Sequence, residues 1–198
     1  MPFSPYTPIK EFYDACKNNG ILLDTNMLIL YIVGQLGETA IDQEDRLSKS
    51  DHINTWDEFK IVETLIKISK LQKVFFTTYS LPEVSHLLKV EKNREKQGKL
   101  STKHKYHDSI VSVLYDSEEI SQNAKEMLAK NESLLEHFGF TDISIIHAIN
   151  PMSPFAVLTD DSQLCDFLSA QQMPALSLAR LNAFGVKSNN LIAKMSSI

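Results

Sequence analysis

Short apolar runs alternate along this chain with longer stretches in which apolar residues recur at helical spacing. Five runs are bounded by polar or turn-forming residues and predict buried strands, at residues 20–24, 74–78, 109–115, 155–158 and 175–178. Strands that alternate with helices are joined by right-handed crossovers and form a parallel sheet with helices on both faces. The pattern therefore predicts an α/β fold, a three-layer α/β/α sandwich around a five-stranded parallel sheet.

Helices are predicted between these strands. The apolar stretch 27–33 follows a turn at Thr25 and Asn26, and Ser80 and Pro82 are typical of the start of a helix that runs past residue 88 into the basic region. Two prolines, at 151 and 154, are expected to end the last long helix before the fourth strand. The helical segments lie at residues 27–33, 57–71, 80 to beyond 88, 117–135, 141–149 and 163–168.

The remaining segments predict less regular structure around one core. Residues 35–56 are polar and mixed, which is typical of an insertion or a mobile loop, and residues 179–198 form a weak terminal helix or a loose end. A chain of 198 residues that is 43% hydrophobic can build one core unaided. We therefore expect a single domain over residues 1–198, with its core at about 20–178 and an N-terminal extension.

The composition favours a cytoplasmic protein without a membrane anchor. The first twenty residues contain acids and prolines but no apolar centre, and the most apolar run, 21–33, is interrupted by Asp24 and Asn26, so neither a signal peptide nor a membrane span is predicted. Cys16 and Cys165 lie far apart, without the spacing of a metal or redox motif. A reducing compartment and two plain packing cysteines are the simpler interpretation.

The net charge of −5 argues against a protein that coats nucleic acid, because such binding requires many Lys and Arg residues to neutralise phosphates. A nuclease is not excluded, since a carboxylate cluster makes a chain acidic and phosphate contacts can be local. One basic stripe, residues 89–107, could supply them. An ordinary solvated helix surface is an equally good interpretation of that stripe. Its first candidates for nucleic-acid contacts are Lys89, Lys92, Arg94 and Lys96.

Four acids are predicted near one edge of the sheet, where parallel sheets bind their ligands. Asp24 and Asp161 follow strands, and Glu83 and Asp142 lie in the first turns of helices. Taken singly, most have a structural explanation: Glu83 completes a capping box with Ser80, Asp142 and Asp161 suit a first turn, and Asp160 suits a cap. Asp24 differs, because an acid that ends a fully apolar strand is partly desolvated and needs a partner.

Together these acids would repel one another unless cations lay among them. Oxygen ligands without an accompanying Cys or His cluster favour Mg²⁺ or Mn²⁺ over Zn²⁺. The six histidines have no zinc-protease spacing and are interpreted as surface or packing residues. The sequence thus predicts a divalent-metal site of carboxylates, with Asp160 as an alternative to Asp161 for the fourth ligand.

Four motifs in order resemble those of the PIN-domain nucleases. They are Leu22-Leu-Asp24-Thr-Asn26 after a strand, Ser80-x-x-Glu83, Phe140-Thr-Asp142 opening a helix, and Val157-Leu-Thr159-Asp160-Asp161, and the similarity spans residues 21–178. The resemblance implies a sheet of order 3-2-1-4-5 and Mg²⁺- or Mn²⁺-dependent hydrolysis of phosphodiester bonds, usually in RNA. It implies that Asp24, Glu83, Asp142 and Asp161 are the catalytic, metal-binding acids, and that Asn26 and Thr159 orient them.

The favoured function is therefore an endoribonuclease acting on single-stranded or looped RNA. The resemblance further implies the toxin of a toxin–antitoxin pair, with an antitoxin protein or a second copy of the chain as partner; the apolar helix after the first strand also suggests a homodimer. One alternative is a non-catalytic interaction module with the same fold. Another is a phosphatase of the haloacid dehalogenase type, which requires a second acid where this chain has Asn26.

Overall fold

The computed structural model describes residues 7–42, 56–68, 73–96, 105–149 and 155–179. Within these ranges one sheet contains five strands, all parallel, in the order β3-β2-β1-β4-β5. This confirms the predicted α/β class, the three layers and the strand order. The strands are β1 (Ile21–Leu23), β2 (Val74–Thr77), β3 (Glu118–Ile120), β4 (Ala156–Thr159) and β5 (Ala175–Ser177).

Helices precede and connect these strands. Two short 3₁₀ turns, Thr78–Ser80 and Glu132–Leu134, follow β2 and the seventh α-helix. The α-helices are α1 (Thr7–Asn19), α2 (Thr25–Gly34), α3 (Glu38–Asp42), α4 (Trp56–Ile68), α5 (Leu81–Lys96), α6 (Lys105–Tyr115), α7 (Ala124–Lys130), α8 (Phe140–Ala148) and α9 (Ser162–Ala170).

Alternation along the strands divides the core between the two faces of the sheet. Ile21 and Leu23 belong to one buried cluster with residues from α1, α2, α4, α5 and α6. Leu22, between them, belongs to a second cluster with Ile145 of α8 and Leu164 of α9. Successive side chains of a strand point to opposite faces, so both clusters can form only if helices cover both faces.

Helix α2 is the centre of the larger cluster. Met27, Leu28 and Leu30 are fully buried, and Gly34 lets the ring of Phe59 pack so closely that a Cβ at this position would lie 2.1 Å from it. Because α2 is enclosed, it offers no apolar face to a second copy of the chain. The structure therefore removes the argument that this helix forms a homodimer interface.

The N-terminal segment is a helix of the core rather than an extension beside it. Phe12 and Cys16 of α1 are fully buried in the larger cluster. Cys16 donates a hydrogen bond to the Leu65 carbonyl at 3.3 Å, and burial raises the pKa of its thiol to about 12. Cys16 and Cys165 are both buried and form no disulfide, and each packs in one of the two apolar clusters, as expected of packing residues.

The predictions for 109–115 as a strand and for 117–135 as a helix are wrong. Residues 109–115 belong to α6, because Ile110 and Val113 pack into the core at helical spacing and override the β propensity of the segment. The third strand is β3, whose first two residues are exposed acids. Helix α7 begins only after Asn123, whose side chain accepts the Lys125 and Glu126 amides.

The polar stretch 35–56 is not wholly irregular. It contains α3, and its last residue, Trp56, begins α4 and stacks on Phe59 with 4.8 Å between ring centroids. Residues 43–55, the two prolines at 151 and 154, and the tail from 180 onward lie outside the described residues. Among the helices that are described, none is long and apolar enough to cross a membrane.

Candidate active site

The strand order reverses between β1 and β4, and the candidate acids lie at the carboxyl edge of the sheet, where its parallel strands end. β1 pairs with β2 on one side and with β4 on the other, and open α/β sheets bind ligands outside the strand ends at such a position. Asp24 follows β1, and Asp160 and Asp161 follow β4. The Asp24 amide donates to the Leu158 carbonyl at 3.0 Å, which fixes the two strand ends side by side.

Asp24 is buried at this edge of the sheet and caps α2. One carboxylate oxygen accepts the Thr25 amide, and Oδ2 accepts the Thr159 hydroxyl at 2.7 Å. The pKa of the Asp24 carboxyl is raised to about 6, chiefly by burial; the charges of Asp142 and Asp161 contribute to the rise, and the two hydrogen bonds oppose it. The side chain is only 6% exposed, so the charge of this acid is costly in the absence of a cation.

Thr159 connects two of the predicted acids. Its hydroxyl donates to Asp24 and accepts the Asp161 amide at 2.9 Å. Asp161 in turn caps α9, because its Oδ1 accepts the amides of Gln163 at 2.6 Å and Leu164 at 3.2 Å. A fully buried threonine at the end of β4 therefore sets the relative position of Asp24 and Asp161.

Asp142 lies in the first turn of α8, where the sequence predicts it. Its Oδ2 accepts the Gly139 amide at 3.1 Å. Partial burial raises the pKa of the Asp142 carboxyl, the Gly139 hydrogen bond lowers it, and the charges of Asp161 and Glu83 raise it. The electrostatic effects thus link all four predicted acids, since Asp24 is influenced by Asp142 and Asp161, and Asp142 by Asp161 and Glu83.

The other predicted residues have different surroundings. Glu83 is exposed in the first turn of α5, Asn26 is exposed in the first turn of α2, and Asp160 is buried. Of the two adjacent acids after β4, Asp161 is the N-cap of α9. The sequence instead suggests Asp160 as a cap and Asp161 as a first-turn acid. The Ser80 hydroxyl accepts a hydrogen bond from Thr25.

Two pairs of hydroxyls hold the acid-bearing elements together, and sequence reasoning did not find them. Thr25 Oγ1 donates to Ser80 Oγ at 3.0 Å, which joins the start of α2 to the turn before α5. Thr77 Oγ1 and Ser144 Oγ lie 2.7 Å apart and join the end of β2 to α8. The sequence feature that could have indicated these contacts is a hydroxyl residue at the end of an apolar run, and it is found at Thr25, Thr77 and Thr159.

The donor set consists of carboxylate oxygens, which suits Mg²⁺ or Mn²⁺. As the described side chains lie, no three Asp, Glu, His or Cys residues converge closely enough to hold one ion. The hydrogen bonds to Asp142 and Asp161 use one oxygen of each, directed at its own helix, and the second oxygen of each can bind a cation. The residues therefore fit a divalent cation by chemistry, and its binding would require these side chains to turn toward one another.

Comparison with known proteins adds no relative: no protein-family model, curated protein or solved structure matches the chain. The resemblance to PIN-domain nucleases therefore rests on the sequence motifs.

The basic stripe, residues 89–107, is divided between α5 and α6. Lys89 is exposed on α5, and Lys92, Arg94 and Lys96 follow it on the same helix with side chains outside the described part of the structure. Residues 97–104, between the two helices, are also outside it. His107 of α6 is exposed, and its Nδ1 lies 3.2 Å from Oδ1 of Asp108. A role of the stripe in binding phosphates stays a prediction.

Proposed function

We propose that the chain is a divalent-metal-dependent nuclease that hydrolyses phosphodiester bonds in RNA, similar to the PIN-domain nucleases. The observation that carries the proposal is that burial raises the pKa of both Asp24 and Asp142, and that the charged groups acting on them are other acids: Asp142 and Asp161 act on Asp24, and Asp161 and Glu83 act on Asp142. Like charges held together at a strand-order reversal are stable when a cation lies among them. The proposed ligands are Asp24, Glu83, Asp142 and Asp161, with Asp160 as an alternative.

The polypeptide would orient these ligands rather than react itself. Thr159 restrains the Asp24 carboxylate and the backbone at Asp161, and the Gly139 amide restrains Asp142. Bound Mg²⁺ or Mn²⁺ would supply the chemistry by lowering the pKa of water and stabilising the charge that develops on phosphate oxygens. An acid of the cluster outside direct contact with the ion would accept a proton from the attacking water.

The proposed substrate is single-stranded or looped RNA. The acids follow strands or begin helices at one edge of one sheet, and the sequence predicts one basic helix, α5, beside them. A single acidic edge with one basic helix cannot clamp a long duplex symmetrically. An antitoxin protein or a second copy of the chain remains a proposed partner on the strength of the resemblance alone.

A cleavage assay tests the proposal directly. Wild type should cleave a mixed panel of labelled single-stranded RNAs with Mg²⁺ or Mn²⁺, and EDTA should stop the reaction. Asp24→Asn should reduce turnover by at least roughly 100-fold, as expected when a metal ligand is lost. Glu132→Gln, at an exposed acid of the 3₁₀ turn after α7, is the matched control and should cleave like wild type. Full activity of Asp24→Asn, or undiminished cleavage in excess EDTA, would contradict the mechanism.

A non-catalytic interaction module is the second candidate, and one observation favours it. Asp24, Asp142 and Asp161 each accept a backbone amide at the start of a helix, so each has a structural role without any metal. In such a module the acids would act only as caps and first-turn residues. Wild-type protein that binds no divalent cation would support this candidate against the nuclease.

A further inference from the structure

Phe140 is an aromatic residue that the fold leaves in solvent. It is the first residue of α8, and 55% of the residue is exposed. Phe138, two residues earlier, is half-buried and packs edge-on against Phe167 with 5.2 Å between ring centroids. Large apolar side chains stabilise a fold by leaving water, so packing accounts for Phe138 but not for Phe140.

Phe140 lies at the same edge of the sheet as the acids. Helix α8 leads into the parallel strand β4 and runs opposite to it, so it begins at the carboxyl edge. Phe140 and Asp142 are both in the first turn of this helix, and Thr141 lies between them in the chain. Residues i and i+2 of a helix do not share a face, but the Asp142 carboxylate turns back to the amide of Gly139, the residue before Phe140. A phosphate at that carboxylate therefore lies near the start of α8, where the base of a neighbouring nucleotide can reach the exposed Phe140 ring.

The charge of the site makes an aromatic contact useful. The coupled acids repel the phosphates of a substrate, and stacking of a base on an aromatic ring provides binding free energy that does not depend on charge. Every base has a π face, and an unpaired nucleotide exposes it. An exposed phenylalanine beside an acidic centre thus matches a single-stranded substrate.

We propose that Phe140 stacks on a nucleobase next to the phosphate that is cleaved, and so positions single-stranded RNA at Asp142. This inference rests on the proposed nuclease function. It assigns Phe140 to substrate binding and predicts that the residue affects KM more than kcat. It also predicts that an aromatic side chain is required at this position, so that Phe140→Trp keeps the contact with the base and Phe140→Leu loses it.

The test uses the full chain and a short single-stranded RNA with 2-aminopurine at successive positions, mixed rapidly in Mg²⁺ so that binding precedes cleavage. Stacking should quench the fluorescence of the 2-aminopurine at one position in wild type and in Phe140→Trp. In Phe140→Leu the quenching should disappear and KM should rise roughly 5- to 150-fold, the range for loss of one base stack. Tyr115→Leu is the control, because Tyr115 is 88% exposed at the end of α6, just before β3 begins at the opposite edge of the sheet.

The outcomes separate this inference from the function on which it rests. Wild-type cleavage with unchanged KM and unchanged quenching in Phe140→Leu would overturn the stacking role and leave the nuclease standing. Wild-type protein that neither binds nor cleaves any RNA of the panel would overturn both. Phe140→Leu with unchanged KM but altered self-association, measured by light scattering, would assign the ring to a protein contact instead. Equal melting temperatures for the variants would show that KM reports binding and not unfolding.

Discussion

Carboxylates have opposite surroundings at the carboxyl edge of the sheet, where the strands end, and near the amino edge, where they begin. Near the amino edge, Glu63 of α4 pairs with Lys67 at 2.9 Å and Lys60 at 3.1 Å, and these hydrogen bonds and charges lower the pKa of its carboxyl. Glu118, at the start of β3, pairs with Lys73 at 3.1 Å. At the carboxyl edge burial raises the pKa of Asp24, and the charged groups that act on it, Asp142 and Asp161, raise it as well.

The difference separates acids that have lysine partners from acids whose charged neighbours are other acids. An exposed acid with a lysine partner needs nothing further, whereas a buried acid among acids is stable only when protonated or when a cation is present. Acids elsewhere in the fold do form such pairs with lysines, as Glu63 and Glu118 do. The carboxyl edge therefore has the property expected of a cation site, and each of the following predictions tests whether that contrast is real.

The largest expected effect is on the pH dependence of metal-free stability. The folded pKa of Asp24, about 6, lies above the value near ~3.9 of an unfolded chain, so the folded state binds more protons between these pH values. The stabilisation of the folded state by protonated Asp24 is complete below the pKa of the unfolded chain, and it is lost as pH rises through the pKa of the folded protein. As pH rises from 4 to 7, the deprotonation of Asp24 should therefore lower the unfolding free energy by up to about 3 kcal/mol.

Urea unfolding of chelator-treated protein at several pH values measures this effect. Asp24→Asn should remove that part of the pH dependence, because the amide does not titrate. Glu63→Gln should not remove it, since the lowered pKa of Glu63 gives stability that is lost as pH falls. Parallel curves for wild type and Asp24→Asn would show that the two edges do not differ as described.

Replacing Thr159 with valine should have the next largest effect. The change keeps the volume of the side chain but removes the donor to Asp24 Oδ2 and the acceptor of the Asp161 amide. Loss of both should cost about 2 kcal/mol of unfolding free energy, since buried partners are left unsatisfied. In the control, Thr64→Val, the hydroxyl bonds only the Lys60 carbonyl of its own helix, and a change within about 0.5 kcal/mol is expected. Equal losses in the two variants would remove Thr159 from the site.

Asp142 distinguishes a first-turn acid from a ligand. If it only stabilises α8, Asp142→Asn should cost roughly 0.5 to 2 kcal/mol and leave RNA cleavage intact. If it belongs to the repelling cluster, the metal-free melting temperature should hold steady or rise, while stabilisation by Mn²⁺ and cleavage both fall sharply. We expect the second result from thermal melts with and without Mn²⁺. A lower metal-free melting temperature with unchanged cleavage would assign Asp142 to the helix alone.

The smallest expected effect is at the amino edge. Glu63→Gln should lower the unfolding free energy by about 0.5 kcal/mol, because half-exposed pairs at i,i+3 and i,i+4 spacing stabilise helices only weakly. The difference should shrink in high salt, which urea unfolding at two ionic strengths would show. A loss as large as that at Thr159 would mean that both edges depend equally on their acids.

Most of the fold could be predicted from hydrophobic patterning, because the buried strands β1, β2, β4 and β5 are apolar on both faces. β3 could not. It is an edge strand that begins with two exposed glutamates, so it has no apolar signature, while the β-branched segment of α6 resembles a strand until its packing on α2 is known. The same limit applies to α1, whose buried Phe12 and Cys16 stand in an otherwise polar segment.

The candidate site was predictable where an acid follows an apolar strand, as at Asp24, and less so where the supporting contact spans the fold. Thr159 and Asp24 are 135 residues apart in the chain, and Thr77 and Ser144 are 67 apart. Such hydroxyl pairs follow from strand order and register, which single positions in a sequence do not specify. Likewise, the buried state of Asp160 and the exposed state of Phe140 depend on how α8 and β4 meet the edge of the sheet.

Isothermal titration of Mn²⁺ into metal-free wild type, Asp24→Asn and Glu63→Gln tests the contrast between the two edges most directly. Wild type and Glu63→Gln should give the same saturable binding, because Glu63 already has lysine partners. Asp24→Asn should bind at least roughly 10- to 100-fold more weakly, since it removes a buried carboxylate from the proposed ligand set. Equal binding by all three proteins, or no binding by any of them, would contradict a cation site at the carboxyl edge.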